Sequence, residues 1–484
     1  EAHLVLGNIL LALGRPAEAK EAFAAEIALD PKCVQAHNNL GAALHDLGRL
    51  DEAAAMHRRT LALDPGHVQA HINLGVALEK RDDLAGARTA YEQALALQPS
   101  NTLSHATALS NLGIVLEQEG QHEAALAMHQ RAAAVAPNSA KVHFNLAVNL
   151  LRTNDLAAGW DEYEWRWKGG VPTLKMPDIP RPMWDGTPLN GRTLLVHAEQ
   201  GLGDTLQFAR YLDPLMRMGG HVMLVAPDAL TRVLRSIKRV TLRDSGENLP
   251  PFDVHIPLMS VARVLATRLD TIPAQVPYVA VDPAAVAAWR RRIGDDGALK
   301  VGLVWSGNPD HKYDHQRSIP AATIMPAVMM PGVKLFALQK DIRPADQATL
   351  ASLGEGIIDL GAEFGDFSDT AAAVCALDLV ISVDTSVVHL AGALARPTWT
   401  LLPFTPDWRW LLGREDSPWY PTMRLFRQSQ RNNWDDVLEQ VRTALHCRAI
   451  QHAVLPEASH LAICPTNRAA IDIVEATRAG RGCG

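Results

Sequence analysis

The chain has 484 residues, of which 48% are apolar and 20% are charged, and its formal charge is -7. This length exceeds what one hydrophobic core supports, so we expect about three domains, and the absence of a basic excess argues against a nucleic-acid partner. The five cysteines form no CxxC pair, and no run approaches the roughly 20 apolar residues of a membrane helix, so we expect no disulfide framework or transmembrane segment, and a cytoplasmic location.

Residues 1–168 carry an internal repeat. Prolines are spaced by 34, 34 and 38 residues, and glycines follow the same spacing: Pro31, Pro65, Pro99 and Pro137; Gly7, Gly41, Gly75 and Gly113. A period of 34 residues resembles the tetratricopeptide repeat, a helix pair that buries its apolar face only by stacking on its neighbours. We expect about five repeats, a four-residue insertion near residues 102–106, and an inner groove lined by the first helices. The chain begins at Glu1, part-way into a repeat, and we expect further sequence upstream.

Asparagines recur on the first helices of the repeats. They occupy the same position in four successive repeats: Asn39, Asn73, Asn111 and Asn145. An amide carries donors and an acceptor, so it can hold an extended peptide backbone without reading side chains. A similar ladder holds protein substrates in the nucleocytoplasmic O-GlcNAc transferases, which have a similar overall layout. The alternative, that asparagine is simply common at this position of the repeat, stays open.

The chain changes character after the repeats. Aromatic residues end the array, namely Trp160, Tyr163, Trp165 and Trp167, and we expect them to dock it onto the next domain rather than to form a sugar platform. Glycine and proline over residues 169–191 predict a linker. Apolar runs then alternate with helical stretches, which predicts parallel strands with crossover helices. We expect a tetratricopeptide-repeat superhelix followed by an α/β GT-B fold of two doubly wound, Rossmann-like lobes, at residues 192–285 and 298–446. Residues 447–484 form a tail with no assigned role.

The first candidate motif follows the strand TLLVHA and contains Gln200, Gly201, Gly203 and Asp204. It is not a dinucleotide fingerprint, because Leu206 stands where G-x-G-x-x-G requires its third glycine. A carboxylate at the carboxyl end of a strand could take the proton from an acceptor hydroxyl in an interlobe cleft. Asp204 could instead cap the helix, and the local spacing alone favours the cap.

The second candidate motif follows the strand DLVISVD and opens a helix. It contains Asp384, Thr385, Ser386 and His389. The N–H groups and dipole of a helix start, together with the two hydroxyls, suit a diphosphate. The alternative is that the first three residues cap the helix and that His389 is a partly buried helix residue.

Three segments, GLGDTLQFARYL, DTSVVHLAGALARP and LLPFTPDWRW, together resemble the ADP-heptose:lipopolysaccharide heptosyltransferase family, specifically bacterial members fused to tetratricopeptide repeats. The likeness spans about residues 184–446. It implies a glycosyltransferase in which Asp204 is the catalytic base on an acceptor loop and the second motif lines the donor phosphates. Ser386 stands where the family usually has glycine, and heptosyltransferases usually lack repeats, which argues against heptose as the donor sugar.

The resemblance also indicates donor-side residues. The polar loop at residues 306–318 leaves the strand VGLVW, and Arg317 occupies the place of the family's phosphate-binding cation, although a solvated loop is the alternative. Gln339 and Lys340 end the strand VKLFALQ, where GT-B enzymes often contact the nucleotide. His311 and His315 lie among charged residues and Pro309, so we predict no metal site and no cofactor beyond the nucleotide-sugar substrate.

These observations favour an inverting glycosyltransferase that moves a sugar from a nucleotide-sugar to an acceptor. The expected acceptor is a protein or peptide held by the repeats, such as flagellin or another surface protein. Two alternatives stay open: a transferase for surface polysaccharide, and a non-catalytic repeat scaffold whose GT-B module binds a nucleotide or a glycan.

Overall fold

The structure is a computed structural model that describes residues 1–454 except residues 99, 172, 245 and 247. The predicted landmark Pro99 and residues 455–484 of the predicted tail therefore lie outside the described residues. The described part of the first third forms ten α-helices: α1 (Ala2–Ala12), α2 (Pro16–Leu29), α3 (Val34–Asp46), α4 (Leu50–Leu63), α5 (Val68–Lys80), α6 (Leu84–Ala96), α7 (Thr102–Gln118), α8 (His122–Val135), α9 (Ala140–Arg152) and α10 (Leu156–Tyr163). A 3₁₀ turn at Glu164–Lys168 follows α10.

The glycine period of the array has a steric cause. A methyl group added to Gly75 would lie 2.4 Å from the Tyr91 ring, and at Gly41 it would lie 2.5 Å from the His57 ring. Gly7 and Gly113 face Phe23 and His129 in the same way. In each of these repeats the second helix therefore packs a ring directly against the backbone of the first. The four-residue insertion lengthens α7 to 17 residues, against 13 in α5.

The rest of the described chain alternates strands and helices. The first lobe contains β1 (Thr193–His197), α11 (Leu202–Phe208), α12 (Leu212–Met216), β2 (His221–Ala226), α13 (Asp228–Leu234), β3 (Val240–Asp244), β4 (Val254–Pro257) and α14 (Val261–Val264). The second contains α15 (Pro283–Ile293), β5 (Leu299–Val304), α16 (Asp314–Arg317), α17 (Ala321–Val328), β6 (Val333–Ala337), α18 (Pro344–Leu353), β7 (Ile357–Asp359), α19 (Phe367–Ala376), β8 (Leu379–Val383), α20 (Ser386–Ala393), β9 (Thr398–Leu402), β10 (Met423–Arg427) and α21 (Asp435–Val454). Short 3₁₀ turns lie at Ala209–Tyr211, Leu258–Ser260, Leu269–Thr271, Gly354–Gly356, Gly361–Glu363 and Trp408–Trp410.

Within the described residues the strands form two parallel sheets, one in each lobe. The first sheet has the order β3-β2-β1-β4 and the second has the order β10-β9-β8-β5-β6-β7. In the first sheet β2 and β3 are added on one side of β1, and β4 is then added on the other side. In the second sheet β6 and β7 are added on one side of β5, and β8 is then added on the other. Ligands of doubly wound sheets bind at the carboxyl ends of the strands at such switch points. The predicted motifs follow β1 and β8, so both lie at these positions.

Several predicted boundaries do not coincide with the ends of structural elements. Trp184, at the end of the predicted linker, is buried and donates its backbone N–H to His255 O at 2.8 Å, so this segment belongs to the first lobe. The predicted lobe end at residue 285 falls inside α15, whose Trp289 packs against Phe364 of the second lobe. Helix α21 continues to Val454, beyond the predicted end at residue 446.

The sequence pattern does not reveal two edge strands. Strand β3 is half-exposed along its length and β10 carries Arg424 and Arg427, so neither segment forms the continuous apolar run that marks a strand buried on both faces. Each lies at one end of its sheet. The segment GLGDTLQFARYLDPLM reads as one helical stretch in the sequence, but it consists of α11, a 3₁₀ turn and α12.

The aromatic end of the array docks onto the domain that follows it, as predicted, and it contacts both lobes. The Trp160 ring lies edge-on to Phe208 of the first lobe at 6.1 Å and to Trp408 of the second lobe at 5.4 Å. Its Nε1 donates to Thr267 O at 3.1 Å. On the second lobe, Pro406 O accepts from Arg152 Nε of α9 at 3.1 Å. The array is therefore part of the same packed unit as the lobes.

We predict that Gly75→Ala destabilises the array by about 1–3 kcal/mol, because the added methyl group overlaps the buried Tyr91 ring. Thermal unfolding followed by circular dichroism measures the effect. Gly66→Ala is the matched control, since its nearest neighbour, Asp64 Oδ1, lies 3.4 Å from the added carbon. Equal melting temperatures for the two variants would contradict the steric account of the repeat.

Candidate functional site

The two predicted motifs meet at the interface between the lobes. Helix α11 packs against α20, and a methyl group added to Gly203 would lie 2.8 Å from His389 Cδ2. The glycine thus permits the first turn of α11 to approach the first turn of α20. Because each helix begins at the carboxyl end of a switch-point strand, the two motifs belong to one site although they are distant in sequence.

Asp204 uses its two oxygens differently. Oδ2 accepts the backbone N–H of Gly201 at 2.7 Å, which is the capping role that the sequence leaves open. Oδ1 forms an ion pair with Nη2 of Arg409 from the second lobe. Arg409 also donates to Gln207 Oε1 at 2.7 Å and to Asp407 Oδ1 at 2.8 Å. The carboxylate is therefore placed at the interlobe site and held there by a buried guanidinium.

Arg317 and the start of α20 also come together. Arg317 Nη1 donates to the backbone oxygen of Asp384 at 2.9 Å, and the backbone of Gly307 packs against the guanidinium. Thr385 Oγ1 accepts the N–H of Val387 at 3.3 Å, so it caps α20, and Ser386 is the first helical residue. Burial and the nearby Asp407 carboxylate raise the pKa of Asp384 to about 6.

His389 is a buried neutral residue of α20. Burial, aided by Arg409, lowers its pKa to about 3. Its Nδ1 lies 3.0 Å from the Tyr420 hydroxyl, and its ring stacks on Trp410 with centroids 5.4 Å apart. The alternative reading of His389 as a buried helix residue describes these contacts, and its predicted role at the donor phosphates stays a prediction.

The remaining donor-side and acceptor-loop residues have separate partners. Gln339 is buried, accepts the N–H of Ser306 at 3.2 Å and donates to Asp341 O at 3.3 Å. Lys340 is exposed and donates to Gly365 O at 3.3 Å. Gln200, with a φ of 61°, donates through Nε2 to the Tyr163 hydroxyl at 3.0 Å. Gln200 thus connects the acceptor loop to the array.

The polar loop at residues 306–318 interacts electrostatically with both the interlobe site and the array. Partial burial and Arg317 lower the pKa of His311, while Asp407, Asp314 and Asp204 act in the opposite direction. The next residue, Lys312, interacts with Glu79 on α5.

The asparagine ladder is hydrogen-bonded along the array. Asn39 Nδ2 donates to Asn8 Oδ1 at 2.8 Å, Asn73 Nδ2 donates to Asn38 Oδ1 at 3.2 Å, and Asn145 Nδ2 donates to Ser110 Oγ at 2.9 Å. Asn111 lies within hydrogen-bonding reach of the Tyr91 hydroxyl. These bonds link neighbouring repeats. Asn39, Asn73 and Asn145 are half-buried, whereas Asn111 is buried.

Sequence reasoning missed the roles of several residues at this site. It includes Arg409 and Asp407 only within the segment LLPFTPDWRW, and it gives none of Arg409, Asp407, Glu199 and Arg166 a role. Glu199 directly precedes the acceptor loop and is held by Arg166 Nε and Nη2 at 2.8 and 2.9 Å. The available signal was a charged residue within an apolar segment. Because charged residues are rarely buried unless they are paired, such a residue indicates a buried ion pair.

Comparison with known proteins identifies the first third of the chain. Models of the tetratricopeptide repeat match residues 4–56, 32–100 and 67–138, which confirms the repeats. Protein FlbA of Caulobacter vibrioides is 29% identical over 332 residues, which is 63% of this chain and 55% of FlbA. A match to 63% of the chain is longer than the array and so includes residues of the lobes. The chain spans about half the length of this curated relative.

Solved structures resemble the chain in part. PilF of Pseudomonas aeruginosa is 18% identical, with a TM-score of 0.35, and the match covers 45% of this chain and 86% of that protein. A thermophilic tetratricopeptide-repeat protein of Thermus thermophilus is 22% identical, with a TM-score of 0.31, and the match covers 36% of this chain and 91% of that protein. The assignment of the repeats rests on the family models, and the resemblance of the lobes to heptosyltransferases stays a prediction.

Two further features concern only the part of the chain that the structure describes. None of its helices combines the length and the apolar composition that a bilayer crossing demands. Its His, Cys, Asp and Glu side chains form no group of three or more that could hold a metal ion.

We predict that Asp384→Asn stabilises the protein above pH 6. A carboxyl pKa raised to about 6 in the folded state means that stability is lost as pH rises toward and through that value, and the neutral amide removes this loss. The gain is up to about 3 kcal/mol at pH 7.5, because one pKa unit corresponds to about 1.4 kcal/mol, and it shrinks as pH falls toward 4. Denaturant unfolding at several pH values measures it. The exposed Asp270→Asn is the control, and a pH-independent difference would contradict the prediction.

Proposed function

We propose that the chain is an inverting glycosyltransferase of GT-B architecture that moves a sugar from a nucleotide-sugar to a protein acceptor held by the array. One observation carries the proposal: the switch points of two parallel sheets face each other and bring Asp204 of one lobe to Arg409, Arg317 and the start of α20 in the other. Nucleotide ligands of doubly wound sheets bind at such positions. The heptosyltransferase-like motifs supply the same residues.

The proposed chemistry divides between the lobes. Asp204 accepts the proton of an acceptor hydroxyl, whose oxygen forms a bond to the anomeric carbon of the donor sugar. The bond from that carbon to the diphosphate breaks, and its electron pair leaves on the diphosphate oxygen. Arg317 and the N–H groups at the start of α20 stabilise the negative charge that develops there. One nucleoside diphosphate and one glycosylated acceptor result.

The array supports a protein acceptor. Tetratricopeptide repeats bind protein segments along their inner helices, where the asparagine ladder lies. The loop at residues 306–318 interacts electrostatically with Glu79 of the array through Lys312 and with the interlobe carboxylates through His311. In this proposal, a segment bound along the inner face of the array passes this loop to reach Asp204.

The second candidate function is a binding scaffold without transfer chemistry. The observation that favours it is the ion pair between Asp204 and Arg409, because a carboxylate that neutralises a guanidinium is a weak proton acceptor. In that case the lobes would bind a nucleotide or a glycan, and no sugar would be transferred.

We predict that Asp204→Asn lowers transfer by about 100-fold or more, the usual contribution of a general base. After a calorimetric binding screen, release of the nucleotide from the donor identifies the donor and measures turnover. ADP-, UDP- and GDP-linked sugars release a nucleoside diphosphate, and CMP-linked sugars release CMP. Asp213→Asn, an exposed carboxylate on α12, is the matched control. Wild-type turnover in Asp204→Asn would exclude the base assignment, and binding without any turnover in the wild type would favour the scaffold.

We predict that changing Asn39, Asn73, Asn111 and Asn145 together to alanine raises KM for a protein acceptor about tenfold or more, since several backbone hydrogen bonds are lost. Hydrolysis of the free donor should stay at the wild-type rate, because the ladder lies outside the interlobe site. Asn138→Ala, in an exposed turn, is the control. An unchanged KM in a folded quadruple variant would leave the ladder with only its contacts between repeats.

A further inference from the structure

Arg409 is shared between the two lobes. It lies in the 3₁₀ turn Trp408–Trp410 of the second lobe, and its side chain is 9% exposed. Its Nε donates to Gln207 and its Nη2 pairs with Asp204, both on α11 of the first lobe. Its Nη1 donates to Asp407 in its own lobe. One guanidinium therefore joins the lobes through the carboxylate that the proposed reaction needs as a base.

Carboxylates and guanidinium groups interact at the site. Among the described residues, the carboxylates include Asp204, Asp384 and Asp407, and the guanidinium groups include Arg317 and Arg409. Burial and, after it, the Asp407 carboxylate raise the pKa of Asp384. A bound diphosphate would add negative charge, and an arginine fork binds phosphate oxygens in a bidentate manner. The diphosphate and Asp204 would therefore compete for Arg409.

The two carboxylates are more exposed than the guanidinium that they pair with. The side chain of Asp407 is 38% exposed and that of Asp204 is 18% exposed, against 9% for Arg409. Solvent therefore reaches this cluster mainly at its carboxylates. Asp407, in the same lobe and two residues away, can hold Arg409 during the exchange.

We propose that Arg409 masks Asp204 in the free protein and that the diphosphate of the donor draws it away, which frees the carboxylate to accept the proton of the acceptor. This inference rests on the proposed function and deepens it. Arg409 is then a positioning residue that makes the reaction ordered, because the base becomes available only after the donor has bound. Without bound donor, Asp204 is paired with Arg409 and is not available to the acceptor hydroxyl.

The test compares two variants that break the same ion pair from opposite sides. Calorimetric titration with inorganic pyrophosphate, ADP, UDP and GDP measures the affinity of the wild type, Arg409→Gln and Asp204→Asn. Arg409→Gln should bind about tenfold more weakly, because a charged hydrogen-bonding partner of the anion is lost. Asp204→Asn should bind about threefold to tenfold more tightly, because the competing carboxylate is gone. The asparagine oxygen can still accept the N–H of Gly201 and keep the start of α11.

The controls separate charge from structure. Arg409→Lys keeps the charge without the fork and should bind with intermediate affinity. Arg414→Gln removes a surface arginine that pairs with Asp416 and should bind like the wild type. Circular dichroism checks the fold of each variant, and if Arg409→Gln does not fold, the sign of the Asp204→Asn effect decides.

The outcomes distinguish the inference from the proposed function. An affinity that falls in Arg409→Gln and rises in Asp204→Asn supports the inference that Arg409 masks Asp204. Equal weakening in both, or unchanged affinity in Arg409→Gln, would overturn the mask while the proposed function stands. If the wild type binds neither pyrophosphate nor any nucleoside diphosphate, both are overturned.

Discussion

The buried ion pair between Arg166 and Glu199 determines where the interlobe site lies relative to the array. Arg166 is completely buried, holds both oxygens of Glu199, and donates to Ser260 Oγ at 2.7 Å. A buried guanidinium and carboxylate are costly unless each satisfies the other, so this geometry leaves little freedom. Glu199 is followed directly by the loop that ends in Asp204. The position of the predicted base therefore depends on the last turn of the repeats, and the site belongs to the array and the lobes together.

Much of the fold follows from local sequence, for reasons that particular residues show. Gly41 and Gly75 recur because a ring packs against the helix backbone at each position. This steric requirement produces the glycine period that the sequence shows. The runs around Leu195 and Ile381 are apolar on both faces because their strands lie inside sheets covered by helices. The repeats are confirmed by the family models, and the two parallel sheets fit the expected α/β lobes, whereas the GT-B assignment stays a prediction.

The parts that escaped prediction depend on contacts distant in sequence. Arg409 and Asp204 are 205 positions apart, and neither position carries a local pattern that names its partner. The sequence placed Asp204 and Arg317 at strand ends, but it could not show that the carboxylate is paired. The predicted end of the first lobe at residue 285 cuts α15, because the sequence pattern is local, whereas the contact between Trp289 and Phe364 decides the lobe on which the helix packs. Burial and pairing, and not motif spacing, therefore give these groups their chemistry.

The Trp160 ring has a mechanical consequence, since it touches Phe208 of one lobe and Trp408 of the other. A rotation of one lobe relative to the other would break at least one of these ring contacts, so the array opposes opening of the lobes. A partner that stiffens or bends the array then alters the work of opening, and opening alters the affinity for that partner by the same factor. Binding of a partner to the repeats and opening of the lobes are therefore thermodynamically linked.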